Sequence, residues 1–204
     1  MPVAIDVRCA VVADDADLVA GLRAGDETVF AALVREHHVA MVRVATSVVG
    51  SRAVADEVVQ DTWLAVVRGI ERFEGRSSLK TWLFHILLNR ARTAVGKERR
   101  SGTVPAEPLD ERFDVSGAWA APPVPWSDEV DDRLVAERLA PCARRLIDEL
   151  PDMQRQVVLL RDVEGLPADD VAEMLGLTAG NQRVLLHRAR TRVRAGLEAE
   201  MGAR

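Results

Sequence analysis

Apolar residues return every three or four positions through most of this chain, and that period predicts helices. Val29, Phe30, Leu33, Val34, His37, Met41, Val44 and Val48 share one helical face, with Asp26 placed as N-cap and Gly50 as the stop. Ser51 is placed to cap the next helix. It runs to about Gly69 with Ala55, Val58, Val59, Thr62, Ala65 and Val66 inward. A polar loop, Phe73-Glu74-Gly75-Arg76-Ser77-Ser78, follows, and Ser77 or Ser78 caps a third long helix from Leu79 to about Arg99. A shorter helix around Asp17 to Arg23 precedes all three. Nothing before Ser101 reads as a strand.

The period then stops. Pro105, Pro108, Pro122, Pro123 and Pro125 interrupt Ser101 to Trp126, leaving a tether of about 25 residues, long for a loop inside one compact domain. Helical spacing resumes over Asp132 to Glu149, where Pro141 marks a break or a fresh first turn. Pro151-Asp152 starts a helix ending near Gly165. Pro167 to Leu175 is a short helix stopped by Gly176, and Thr178 caps a last helix to about Glu200. A short helix, a glycine turn and a long basic helix form the helix-turn-helix arrangement. The predicted fold is therefore all-α. Two helical domains, 14–100 and 132–200, are joined by a flexible acidic linker, 101–131, with tails at 1–13 and 201–204.

Composition narrows the function classes. With 48% hydrophobic and 29% charged residues the chain is ordinary globular material, and 4% aromatics without tyrosine suits helices better than a β-sandwich. No apolar run approaches the ~20 residues of a membrane span. Asp6 and Arg8 spoil the start as a secretory signal. Cys9 and Cys142 make neither a zinc ribbon nor a disulfide scaffold, which fits a cytoplasmic protein. No metal or cofactor is expected. The net charge of −5 argues against nucleic acid only as an average. Arg90, Arg92, Lys97, Arg99 and Arg100 crowd one stretch, and Arg183, Arg188, Arg190, Arg192 and Arg194 another. Between them Ser101 to Asp131 carries seven acids and one base, a net −6.

The last helix has the sharpest pattern. Leu185, Leu186, Ala189, Val193 and Leu197 share one face, and Arg183, His187, Arg190 and Arg194 the other. A guanidinium stripe opposite an apolar face can reach phosphates and guanine edges in a major groove, although a basic face alone is more often merely solvated. In the third helix Leu79, Trp82, Leu83, Phe84, Ile86, Leu87 and Leu88 imply burial on most sides. They leave a narrow polar stripe of Thr81, His85, Asn89, Arg92 and Arg99 that suits a nucleic-acid strand. The loop before it offers Phe73, Arg76, Ser77 and Ser78 to a base pulled from the stack. The second helix turns Asp56, Glu57, Gln60, Asp61 and Leu64 away from its apolar face, with Trp63 at the border, as a protein-contact surface does. Catalytic patterns are missing: His37 and His38 diverge on a helix, and Asp169 and Asp170 suit a solvated first turn.

These segments resemble a known family. Ala55 to Trp63 is similar to the core-polymerase-binding motif of bacterial sigma-70-family sigma factors. Phe73 to Phe84, with Asn89, resembles their promoter-melting and minus-ten segment. Leu150-Pro151, Arg155 to Leu166, Val171 to Gly176 and His187 to Arg190 resemble their minus-thirty-five domain. With two domains and a short linker, the chain is most similar to the extracytoplasmic-function (ECF) group over about Asp17 to Leu197.

The resemblance implies a non-enzymatic factor that binds core RNA polymerase and directs transcription initiation. Asp56, Glu57, Gln60, Asp61 and Trp63 would meet the clamp helices of the largest subunit. Phe73, Arg76, Ser77, Ser78, Thr81, Trp82, His85, Asn89 and Arg92 would take melted minus-ten DNA, a flipped base lying beside Asn89. Asn181, Arg183, Val184, His187, Arg188, Arg190 and Arg194 would bind the minus-thirty-five duplex from the polymerase flap. An anti-sigma factor, often zinc-containing and sometimes membrane-bound, is the further partner the family implies. This chain departs from the usual recognition helix, with Val184 and Leu185 where the family keeps Ser and Arg, and Gln182 on the inner face. Two other readings stay open: a helix-turn-helix regulator that never engages polymerase, and a module that sequesters polymerase.

Overall fold

Among the described residues every regular element is helical. The computed structural model describes the backbone of residues 7–98 and 132–202 and the side chains of 15–96 and 139–201. The predicted linker, Arg99 and the side chain of Lys97 lie outside them. The helices are α1 (Val7–Arg23), α2 (Glu27–Val49), α3 (Arg52–Gly69), α4 (Leu79–Glu98), α5 (Asp132–Asp148), α6 (Asp152–Val158), α7 (Ala168–Leu175) and α8 (Ala179–Gly202).

Local chemistry sets most of the ends. Asp26 accepts from the amides of Thr28 (2.8 Å) and Val29 (3.3 Å) and from the Thr28 hydroxyl, bonds that hold its carboxyl below the ordinary range. Gly50 closes α2 in the left-handed region, φ 74°. Ser78, rather than Ser77, caps α4, accepting from the Thr81 amide at 3.1 Å.

Four expectations are corrected. Ser51 occupies the N-cap position of α3 but its side chain caps nothing. Its carbonyl accepts the first helical bond, from Ala55. Helix α1 starts at Val7, earlier than Asp17. Helix α5 runs unbroken through Pro141, which faces solvent, where water can meet the carbonyl that lacks a donor. The helix expected to continue to Gly165 instead widens into a π turn, Leu159–Val163, where the Glu164 amide donates to the Leu159 carbonyl at 2.8 Å.

Helices α2, α3 and α4 pack on one another, with α1 laid across α2. Met41, Phe84, Leu87 and Leu88 are fully buried at their centre, so α4 is enclosed on most sides as its pattern implied. In the second domain α6, α7 and α8 close around Leu160, Val171, Met174 and Ala189. The two domains also touch, α2 against α6 and α4 against α7. The Gln156 amide donates to the buried Ser47 carbonyl at 3.2 Å, and Lys80 pairs with Glu164 at 3.1 Å. No helix of the described residues is long and apolar enough to cross a membrane.

Candidate nucleic-acid interface

Helix α3 exposes a continuous stripe. Glu57, Gln60 and Asp61 are on it, and Leu64 and Val67 continue it at 54% and 55% exposure. Large aliphatics so exposed beside acids suit a partner surface. Asp56 is half-buried and paired with Arg52 at 3.1 Å. Trp63 does not join the stripe. It is buried, packed edge-on against Phe30 with ring centres 5.8 Å apart. The expectation that its ring faces a partner is corrected, because Trp63 lies on the same inward arc of α3 as Val59, Thr62 and Val66, which carries it into the core.

A groove of about 690 Å³ runs between α3 and α4, lined by Glu57, Asp61, Asn89, Arg90 and Thr93. Asp61 and Arg90 face each other across it at 3.8 Å. Candidate polymerase contacts and candidate strand contacts thus share one cleft. On α4 itself the polar stripe opens progressively: Thr81 is buried under Ser78, His85 is half-buried, and Asn89 and Arg92 are exposed.

The Phe73–Ser78 loop forms one wall of a larger groove, about 1080 Å³, whose opposite wall is α1. Phe73 is buried at its base, tilted on Trp82 with ring centres 5.1 Å apart. The phenyl ring therefore supports the loop and does not lie open for stacking. Arg76, Ser77 and the backbone at Gly75, φ 70°, remain on the groove, with Arg76 paired to Glu74 at 2.5 Å. Two groove residues carry no periodic signal and went unnoticed in the sequence. Arg23 donates to the carbonyls of Phe73 (2.6 Å) and Ile70 (3.3 Å), and Asp15 accepts from the Leu79 amide at 2.9 Å. Their partners lie about fifty or more positions away, so only the fold joins them.

In α8, Thr178 caps the first turn through the Asn181 amide at 3.2 Å. Asn181 and Arg183 are exposed, Val184 and Arg188 half-buried, and Gln182 is buried on the inner face as expected. The basic stripe is less cationic than its spelling. Burial, with Arg190 nearby, holds His187 below the ordinary imidazole value, so it is neutral at neutral pH. Arg190 is forked onto Asp162 of the π turn at 2.7 and 2.8 Å, which raises its pKa further. Arg194 pairs with Glu198 one turn on, at 3.0 Å. Arg190, expected to meet phosphate, already has an anion.

Comparison with known proteins follows the same division. The sigma-70 region 2 family model matches residues 33–101 and the sigma-70 region 4 model residues 141–193. The ECF RNA polymerase sigma factor SigM of Mycobacterium tuberculosis (strain H37Rv) is 30% identical over 179 residues, 88% of this chain and 82% of that protein. The ECF RNA polymerase sigma-E factor of Escherichia coli K12 is 28% identical over 178 residues, 86% and 90% of the two chains. Among solved structures, CnrH in complex with the cytosolic domain of CnrY aligns at a TM-score of 0.54 and 25% identity, over 91% of this chain and 97% of that one. The sigma factor RpoE of Bartonella quintana, in complex with the anti-sigma factor NepR, shares the fold at a TM-score of 0.51 and 24% identity, over 81% of this chain and 96% of that one.

Proposed function

This chain belongs to the ECF group of the sigma-70 family, sigma factors that direct transcription initiation by RNA polymerase, and we propose that three of its surfaces divide that work. The exposed stripe of α3 docks on the clamp helices of core polymerase. The face of α4 from His85 to Arg92, with the loop groove, takes the displaced strand at the minus-ten element. The N-terminal half of α8 enters the major groove at the minus-thirty-five element, with Arg183 nearest the bases. The acidic linker, outside the described residues, threads a basic channel of the polymerase. An anti-sigma factor holds the free protein. With Trp63 in the core, the polymerase contact rests on Glu57, Gln60, Asp61 and Leu64.

The observation that carries this reading is the α3–α4 cleft, where Glu57 and Asp61 lie with Asn89 and Arg90. A factor that joins polymerase to a melted strand needs both surfaces side by side. A regulator that binds duplex alone needs neither. The packed domains also imply a change of state. Elements about 25 base pairs apart lie about 85 Å apart along B-DNA at 3.4 Å per pair. Domains in direct contact cannot reach both, so the α2–α6 and α4–α7 contacts open on the holoenzyme.

The test is transcription in vitro from a pool of genomic fragments with core polymerase, reading the RNA 5′ ends. Added protein should create start sites sharing two upstream elements. A duplex-only regulator would create none, and a sequestering module would lower all transcription.

A further inference from the structure

We propose that α1 sets the shape of the strand groove: Asp15 and Arg23 are positioning residues that clamp the two ends of the Phe73–Ser78 loop, and a flipped base is held only in the shape they maintain. The inference rests on the reading of that groove as a single-strand site.

The loop has little to hold it from within. The Phe73 amide donates to the Ile70 carbonyl at its start, Ser78 caps α4 at its end, and Gly75 between them takes a left-handed backbone. The Glu74–Arg76 pair is exposed and lends it little rigidity. Besides the Phe73 ring seated on Trp82, what fixes the loop against the body is α1. The Arg23 guanidinium forks onto two carbonyls at the entry, Ile70 and Phe73. The Asp15 carboxylate takes the Leu79 amide at the exit. Eight residues on a helix span about 12 Å, so the clamps stand a little over two turns apart. Between them α1 turns only small side chains, Ala16, Val19 and Ala20, toward the groove. A planar group can lie there without displacing a bulky residue.

The charges on the α1 side favour a base over a phosphate, while the loop side carries both signs, Glu71 and Glu74 with Arg72 and Arg76. A helix N-terminus attracts anions, but here Asp15 already occupies it. Arg23 is spent on neutral carbonyls, so it is not spare for the strand backbone. A nucleobase edge, neutral and rich in donors and acceptors, is the group left to fit.

The test uses holoenzyme made from core polymerase and the full chain. A single-stranded oligonucleotide pool with a randomised block is selected on the wild type. The winning strand is then remade with an abasic site at each position. Wild type should lose about tenfold affinity at one position, the order expected for removing one stacked base. Arg23→Gln and Asp15→Ala should shrink that penalty to less than about threefold while binding core within about twofold of wild type. Asp15→Asn keeps an acceptor for the Leu79 amide and should retain the penalty. Arg23→Lys, which keeps the charge and loses the fork, gives an intermediate penalty and serves if Arg23→Gln does not fold. A wild-type-sized penalty in Arg23→Gln and Asp15→Ala overturns the proposal, as does a parallel loss of core binding, which would mark the contacts as general support for the domain. If wild type itself shows no abasic penalty, the groove takes no base, and the single-strand reading falls with this one.

Discussion

The ion pair between Lys80 and Glu164 gives the sharpest test of how the two domains are held. The partners differ in burial: the Glu164 side chain is 9% exposed and that of Lys80 34%, at 3.1 Å. Lys80→Met leaves a nearly buried carboxylate without its cation. Such a loss costs about 2–3 kcal/mol, close to the value of a hydrogen bond to a charged group and well above the ~0–1 kcal/mol of an exposed pair. Glu164→Gln leaves an ammonium that water can reach and that still lies 6.0 Å from the Phe84 ring. It should cost less than about 1 kcal/mol. Because the pair bridges α4 and the turn before α7, both losses favour domain opening, in which Glu164 rehydrates. Dyes at the exposed positions Val39 and Met201, with Cys9 and Cys142 replaced, would report that opening by energy transfer. Lys80→Met should shift the closed-to-open ratio by about 30- to 150-fold, Glu164→Gln by less than about fivefold, and the double variant by much less than the product. If Glu164→Gln opens the domains as much as Lys80→Met, or if the two effects are additive within ~0.3 kcal/mol, the pair does not hold the interface.

Gln60→Ala with Asp61→Ala should weaken core-polymerase binding in a pull-down while changing thermal stability by less than about 0.5 kcal/mol per site, since both side chains are exposed. Arg183→Ala should cost ~1–3 kcal/mol in holoenzyme binding to promoter DNA and relax preference at one or two base pairs. Asp162→Asn removes the anion on Arg190 and should steepen the salt dependence of promoter binding by about one unit; an unchanged slope would place Arg190 away from phosphate. His37 is buried, and burial, helped by the nearby Lys80 cation, outweighs the acids Glu36, Glu164 and Asp15 to hold its pKa below 6.5. The neutral ring is therefore favoured in the folded state. Its contribution to stability is complete above pH 6.5 and is lost as pH falls toward the lowered folded value. Urea midpoints at pH 7.5 and 5.5 should differ less in His37→Gln than in wild type.

The legible parts of this protein are those governed by neighbours in the chain. Asp26 and Gly50 end α2 where they were expected to, because a capping carboxylate and a left-handed glycine act over two to four residues. The enclosure of α4 followed from Leu79, Trp82, Leu83, Phe84, Ile86, Leu87 and Leu88 lying round most of its circumference. The helix-turn-helix followed from Gly176 and the apolar face of Leu186 and Ala189. Trp63 and Phe73 were harder. An aromatic at the edge of an amphipathic face, or at the start of a polar loop, can turn inward or outward, and only the neighbours Phe30 and Trp82 draw these two inside.

By itself the sequence determined the helices, their apolar faces, the two-domain division and, through its motifs, the family. Helical period and caps are short-range effects, written within a few residues of where they act. Tertiary structure decided which charges are available. Arg183 and Arg190 are alike in spelling, yet Arg190 faces Asp162 from a π turn 28 positions earlier, whereas the pairing of Arg194 with Glu198 is set within its own helix. It also decided that Arg23 and Asp15 grip a loop some fifty to sixty residues on, and that Lys80 meets Glu164 across the domain boundary. The reason is physical. A salt bridge or a side-chain-to-carbonyl bond depends on distances of about 3 Å between groups far apart along the chain. Only the packing of α1 on α2, and of α4 on α7, brings those groups within reach.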